Sequence, residues 1–396
     1  MSSFSTRFSK VLTLLSLSLY SALAAADTQP PVVVALDADL SAVAAEGGEA
    51  LRKGIEIALA EINEQGGLLG RNVILAASDH RGNPARGVKH IKQLVETDNL
   101  LAIFSGVHTP VVLAQLPLVH QHNKLFISPW AAGTSITNNG HNPNNVFRVS
   151  FRDEQVCQVL IATAKKRGIN QVALILERTA WGRSNYQSLI AYAQQQGVDI
   201  VSIQWINWRQ EQFDTEIKAI IESQAQGIIL VANPPESVIV SRTLLASQNA
   251  NLPILSHNGL AGGNFAQELG IDQLQQLNIS VIQTFNFLKQ DNPTARRLAA
   301  GYYKLYGKTE KTAIPAVVGL AHGYDSMHLL GAAVEQAHSF DTDKVRQALE
   351  QLSYMEGAVK NYTQPFSERD HEAFTLDDYF MTTFNSAGYL VPVTNK

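Results

Sequence analysis

The chain has 396 residues, 45% of them hydrophobic and 17% charged, with a formal net charge of −4. This is the composition of a folded globular protein long enough for two domains with separate cores, and it excludes extensive disorder. The acidic balance argues against a nucleic-acid partner, which calls for a basic face. The single cysteine, Cys157, excludes an internal disulfide and a cysteine-based metal cluster.

At the N-terminus Arg7 and Lys10 precede an apolar run over residues 11–19, followed by Ala22-Leu23-Ala24-Ala25-Ala26. A basic start, a short apolar middle and an Ala-x-Ala pattern predict a cleavable secretory signal over residues 1–26. The run is too short for a transmembrane anchor, and no cysteine near the cut offers a lipid attachment point. The mature protein is expected to be soluble, with a bacterial periplasm as its compartment.

From Pro30 the pattern is strand then helix, repeated. Residues 32–36 read as a buried strand ending in Asp37-Ala38-Asp39. After Gly47-Gly48, the spacing of Leu51, Ile55, Ala58, Leu59 and Ile62 predicts a helix stopped by Gly66-Gly67. A second strand over 73–77 and a helix carrying Val88, Ile91, Leu94 and Val95 follow.

The stretch from 100 to 134 is the most informative. It reads as a strand over 100–104, a crossover helix reaching His122, and a strand over 125–127 that breaks at Ser128-Pro129-Trp130-Ala131-Ala132-Gly133-Thr134. In a parallel sheet both loops emerge at the carboxyl edge, where ligands of open α/β folds bind. Thr109-Pro110 suits an N-cap and first helical position, whose hydroxyl and free N–H groups hold a small anion such as a carboxylate. The alternative is that Thr109 only caps its helix.

Near 146–150 the rhythm restarts. A helix through Val156, Val159 and Leu160 leads to strands over 172–176, 200–206, 228–231 and 253–256 with helices between. A strand over 279–284 reads as a return crossing, helices over 293–306 and 316–337 rejoin the first lobe, and the β-like tail from Val359 crosses back. The predicted class is α/β: two doubly wound Rossmann-like lobes joined by a three-crossing hinge. Lobe 1 is expected to span 30–150 plus 283–356, and lobe 2 to span 151–282 plus 357–396.

Particular blocks carry a resemblance. They are the stretch from Glu61-Ile62-Asn63 through Gly66-Gly67 to Gly70-Arg71, Asp79 with Asn83-Pro84, and Ile127-Ser128-Pro129, together with Val146-Phe147-Arg148, Trp181-Gly182 and Tyr324-Asp325. Together they resemble the branched-chain amino-acid (Leu/Ile/Val) binding protein family, periplasmic binding proteins of the type I fold that serve ABC importers. The resemblance runs from about Val32 to Val391. It implies that Thr109 stands where the family's carboxylate-binding loop has a serine. Ala131 and Ala132 stand where the family uses a backbone group and a threonine, so one hydroxyl is missing unless Thr134 replaces it. Asn258 aligns with the acid that binds a ligand amino group and supplies no countercharge. Glu46 replaces an aromatic residue, Asn233 or Pro234 replaces a second-lobe tyrosine, and Gly82 and His108 occupy the positions of a disulfide found in some members.

Trp130 and Trp181 fall on opposing loops and are candidates to sandwich a flat or apolar ligand part, with packing inside their own lobes as the alternative. Asp37, Asp39 and Glu46 lie near one strand end, either as a site for a cationic group or as solvated loop acids. His108 abuts Thr109 as a base abuts a nucleophile. No third orienting residue is legible and there is no Gly-x-Ser-x-Gly elbow, so His108 is taken to line the pocket. The pairs His120/His122 and His322/His328 have the wrong separation for a helical metal face. No metal or organic cofactor is expected.

These readings converge on a monomeric, non-enzymatic periplasmic solute-binding protein of an ABC importer. Its expected ligand is a small polar amino-acid-like, amide or aromatic-acid solute, passed to a membrane permease. The expected ligand set is Thr109, His108, Trp130, Ala131, Ala132, Trp181, Asn233, Asn258 and Glu46. A periplasmic sensor subunit signalling to a membrane receptor and a secreted α/β hydrolase stay open as alternatives.

Overall fold

Long apolar runs bounded by Gly, Asp and Asn make strands that are covered on both faces, and here they build two mostly parallel sheets. The computed structural model describes residues 29–393, so the predicted secretory signal lies outside the described residues. The first sheet takes in β1 (Val32–Ala38), α1 (Ala45–Glu64), β2 (Val73–Asp79), α2 (Pro84–Leu94), β3 (Leu100–Ser105), α3 (Thr109–Gln121), β4 (Leu125–Ser128) and β5 (Val146–Arg148). Its strand order is β2-β1-β3-β4-β5, parallel throughout.

The chain then forms α4 (Asp153–Lys166), β6 (Gln171–Glu177), α5 (Ala180–Gln196), β7 (Asp199–Ile206), α6 (Asp214–Glu222), β8 (Gly227–Val231), α7 (Pro234–Ala246) and β9 (Ile254–Ser256). The short helices α8 (Phe265–Leu269) and α9 (Ile271–Leu274) precede β10 (Ile279–Gln283). Strands β7-β6-β8-β9-β10 are parallel and wound in the same order as the first sheet. The symmetry between the halves is therefore one of winding, which the sequence shows only as a repeated rhythm.

After β10 come α10 (Pro293–Tyr306), α11 (Val317–Ala337), α12 (Thr342–Glu350), the hairpin β11 (Tyr354–Glu356) and β12 (Asn361–Thr363), and finally β13 (Phe380–Phe384) and β14 (Leu390–Pro392). β13 pairs antiparallel with β10 and β14 with β13. Two expectations are corrected. The strand expected at 279–284 forms β10, paired on both edges inside the second sheet, so any return to the first half follows that strand and is not made by it. The tail does not leave the first half at 357. Asp325 accepts the Ala358 and Val359 N–H groups (2.7 and 2.9 Å) and the Tyr362 hydroxyl (2.9 Å), and the His371 ring stacks on Phe147 at 4.0 Å.

Glu372 fixes the same segment more firmly. Its carboxylate accepts from Arg148 Nη2 at 2.7 Å and Nε at 2.8 Å, and both side chains are buried. The remaining guanidinium N–H groups reach the Ala131 and Gly133 carbonyls (3.2 and 2.8 Å) and Thr137 Oγ1 (2.9 Å). Every donor direction of this buried cation is therefore used, and the 131–133 loop is held from below.

Helices α1 and α11 approach through glycines. A Cβ on Gly54 would lie 2.1 Å from the Leu320 carbonyl oxygen. Gly54→Ala is therefore expected to cost a net 1–2 kcal/mol (roughly), overlap outweighing the gain in helix propensity. Gly331→Ala, where the nearest atom is 3.4 Å away, is expected to be neutral or stabilising. Urea denaturation of the two variants checks this.

Candidate functional site

The carboxyl ends of the parallel strands of the two sheets face one another across a narrow cavity of about 20 Å³. In doubly wound sheets this edge is where ligands bind. From the first half, His108 and Thr109 follow β3, Trp130 and Ala132 follow β4, and Phe151 follows β5. From the second, Thr179 and Trp181 follow β6, Trp208 follows β7, Asn233 follows β8, and His257 and Asn258 follow β9. The two halves touch directly: the Thr134 N–H donates to Ser184 Oγ at 3.2 Å, and the His108 and Trp208 rings meet edge-on at 5.2 Å.

Seven of the nine expected ligand residues line this cavity: Thr109, His108, Trp130, Ala132, Trp181, Asn233 and Asn258. Ala131 does not. It is fully buried, with its carbonyl turned to Arg148. Glu46 does not either; it borders a neighbouring chamber. Thr109 is not the N-cap. His108 holds the cap position and Thr109 is the first helical residue, and its Oγ1 accepts the Gly133 N–H at 3.1 Å. The hydroxyl proton remains available to donate. Thr134 does not replace the missing hydroxyl, because its Oγ1 accepts the Glu154 N–H at 3.3 Å and it lies outside the lining.

The loop after β4 is pinned on three successive carbonyls. Ala131 and Gly133 face Arg148, and Ala132 accepts the Asp153 N–H at 2.8 Å. The Ala132 N–H has no acceptor among the described residues. With Thr109 at the positive end of α3, this side of the cavity suits an anion or carbonyl oxygen.

The acids near β1 are spoken for, which corrects the cationic-site reading. Asp37 takes His90 Nδ1 at 2.7 Å and Gln115 Nε2 at 2.5 Å, and burial pushes its pKa up to about 6 against those two contacts. Asp39 accepts the Ala42 and Ala44 N–H groups (2.7 and 3.1 Å) and contacts His108 Nε2 at 2.8 Å. Burial works to raise the Asp39 pKa, but these contacts outweigh it and leave the group below its ordinary value. Asp39 is thus the orienting residue for His108 that sequence inspection missed. The His108 ring is turned to Asp39, and among the described residues no hydrogen bond joins it to the Thr109 hydroxyl.

A second backed imidazole comes from the other half. His257 Nε2 and the Trp181 indole N–H both reach Asp153 Oδ1 at 3.1 Å, while His257 Nδ1, buried at the lining, has no partner. Trp181 also meets His257 edge-on at 4.9 Å. Asn233 is held from beneath by Glu177, whose carboxylate accepts its N–H at 2.6 Å, its Nδ2 and the Trp208 indole. Burial pushes the Glu177 pKa up to about 8 despite those donors, with Glu236 adding to the rise. Trp208, His257, Phe151 and Glu177 were not singled out from the sequence. The one available signal was their place just after, or at the end of, a predicted strand.

Behind the lining, His322 ties the loop after β4 to the segment following β10, with Nδ1 on the Pro129 carbonyl at 3.1 Å and Nε2 on Thr284 Oγ1 at 2.8 Å. Both ring nitrogens are satisfied in the neutral tautomer, and burial lowers its pKa to about 3 against the pull of that carbonyl. Its folded pKa lies below the ordinary value of about 6.5. Its contribution is therefore present above about 6.5 and is lost as pH falls toward 3. The stability gap between the protein and His322→Gln is expected to narrow from pH 7 to pH 4, as read by denaturant midpoints.

Comparison with known proteins agrees with this architecture. A family model described as periplasmic binding protein matches residues 31–388. The chain is 24% identical over 353 residues to Leu/Ile/Val-binding protein homolog 3 of Brucella melitensis, covering 88% of this chain and 92% of that one. It is likewise 24% identical over 334 residues to Leu/Ile/Val-binding protein BraC3 of Rhizobium johnstonii, covering 84% and 87%. A periplasmic binding protein type 1 from Bordetella pertussis superposes with a TM-score of 0.83 at 21% identity, covering 92% of this chain and all of that one. A branched-chain amino acid transporter substrate-binding protein from Streptococcus pneumoniae, in complex with isoleucine, superposes at 0.78 with 17% identity, covering 92% and 100%. Among the described residues no helix is long and apolar enough to cross a membrane. The repeated winding, the cavity between two carboxyl edges and the match over residues 31–388 make one case: the chain belongs to the periplasmic binding protein family.

Proposed function

We propose that this protein is the solute-binding component of an ABC importer, exported by a cleaved leader, that closes as a monomer on a small amino-acid-like, amide or aromatic-acid solute without altering it. The observation that carries the reading is the cavity itself, lined from both halves by oriented polar groups set among three tryptophans and Phe151. Fixed polar groups converging between aromatic walls are the form that small-ligand pockets take. The ligand touches both halves only when they are closed, so it shifts the open–closed equilibrium toward the form a permease recognises. We divide the moving bodies near residues 150, 283 and 379, with the 357–378 segment riding on lobe 1 because of its contacts to Asp325, Phe147 and Arg148.

None of the cavity-lining residues is an acid. A free α-ammonium would enter without a countercharge, and leucine, isoleucine and valine are expected to bind weakly or not at all. Calorimetric titration and small-angle scattering across a panel of solutes test both points. Micromolar leucine binding would contradict the specificity, and scattering profiles unchanged by every solute would contradict the role. Thr109→Ala is expected to weaken a bound solute by roughly 1–3 kcal/mol, the scale of a hydrogen bond to a charged group.

A further inference from the structure

The central cavity has a neighbour. A chamber of about 110 Å³, partly open to solvent, adjoins it, and Trp130 and Asn258 line both. Its walls are largely apolar and include Leu260, Phe265, Phe287 and Ile314. The partition is an aromatic plate seated on glycines. A Cβ would come 3.1 Å from the Trp130 ring at Gly47, 2.7 Å at Gly319 and 3.5 Å at Gly262.

Beside the plate stands a buried amide with an unmet need. Asn258 is 1% exposed, and its Oδ1 accepts from Gln283 Nε2 at 2.8 Å while its Nδ2 has no partner among the described residues. A buried N–H without an acceptor is destabilising. A ligand that places a carbonyl oxygen there removes the penalty. The polar end of the central cavity, at Thr109 and the positive end of α3, meanwhile calls for an acid group. No acid lines the central cavity, and of the two chambers Glu46 borders only the second, so an amino-acid-like ligand's nitrogen beside Asn258 is best accommodated uncharged.

We propose, resting on the solute-binding reading above, that the ligand is an N-acylated amino acid spanning both chambers. Its carboxylate sits at Thr109 and the start of α3, its amide carbonyl accepts from Asn258 Nδ2, and its apolar acyl chain passes the edge of Trp130 into the second chamber.

Calorimetry on the mature protein with N-hexanoylglycine, N-acetylglycine, hexanoate and glycine tests this. N-hexanoylglycine is expected to bind at least about tenfold more tightly than N-acetylglycine, from methylenes buried in the second chamber, and more tightly than hexanoate or glycine. Asn258→Leu is expected to weaken N-hexanoylglycine about tenfold or more, and Ala261→Trp, on the chamber wall, to erase the difference between the two acyl chains. Equal affinity for the two acylglycines overturns the inference, and that arm needs no variant to fold. Closure on a free amino acid or aromatic acid with no acylglycine binding overturns it and leaves the importer reading standing. No closure on any solute overturns both.

Discussion

Glu372→Ala is expected to lower the unfolding free energy by about 3–5 kcal/mol, because it strands a buried guanidinium without its carboxylate. Arg148 is fully buried, and its two short bonds to Glu372 supply the only countercharge it directly contacts among the described residues. The variant leaves Thr137 and two loop carbonyls as its remaining partners. Those carbonyls belong to the loop that lines the cavity, so solute affinity is expected to fall along with stability. Denaturant titration measures the first effect and calorimetry with a bound solute the second. A double replacement, Arg148→Met with Glu372→Leu, is expected to recover much of the stability, since a well-packed apolar pair can equal a buried ion pair. A loss under 1 kcal/mol (roughly the range of exposed pairs) for Glu372→Ala would mean that the pair is solvated.

Trp181→Ala is expected to cost about 3–5 kcal/mol of stability, the usual range for emptying a buried aromatic site, and to weaken solute binding by roughly 1–3 kcal/mol. The indole is nearly buried, lies where a Cβ on Gly259 would come within 2.3 Å of its ring, and donates to Asp153. Its loss removes one donor from Asp153 and the ring that meets His257 edge-on. Trp181→Phe keeps most of the apolar wall and removes only the N–H donor, so it is expected to show a much smaller stability loss. Calorimetry and urea denaturation on the two variants separate the wall from the hydrogen bond. Unchanged affinity in both, together with unchanged affinity in Thr109→Ala, would place the ligand elsewhere.

Strand positions were legible because buried parallel strands are written as uninterrupted apolar runs, and residues 32–36 and 227–231 are of this kind. The rule that ligands gather at the carboxyl edge then points to the loops bearing Thr109, Trp130, Trp181 and Asn233 without any knowledge of pairing. What a single chain cannot display is which distant loops meet. Arg148 and Glu372 are 224 positions apart, and His108 and Asp39 are 69 apart. The same holds for Trp208 and His257, ordinary loop residues until the order β7-β6-β8-β9 places their strand ends beside Glu177 and Asp153. Local rules also misjudged Thr109, whose hydroxyl is drawn to Gly133 across the cavity floor rather than to its own helix. Asp37 and Asp39 read as free acids because their imidazole partners come from other segments.

The final strands carry a consequence for biosynthesis. β13 and β14 cover the outer edge of β10 with residues from the last part of the chain. Until ribosomes have released those residues, β10 presents unpaired backbone groups, the kind of edge on which separate molecules can join. A nascent polypeptide ending short of Phe380 is therefore expected to aggregate rather than acquire the second half's native packing.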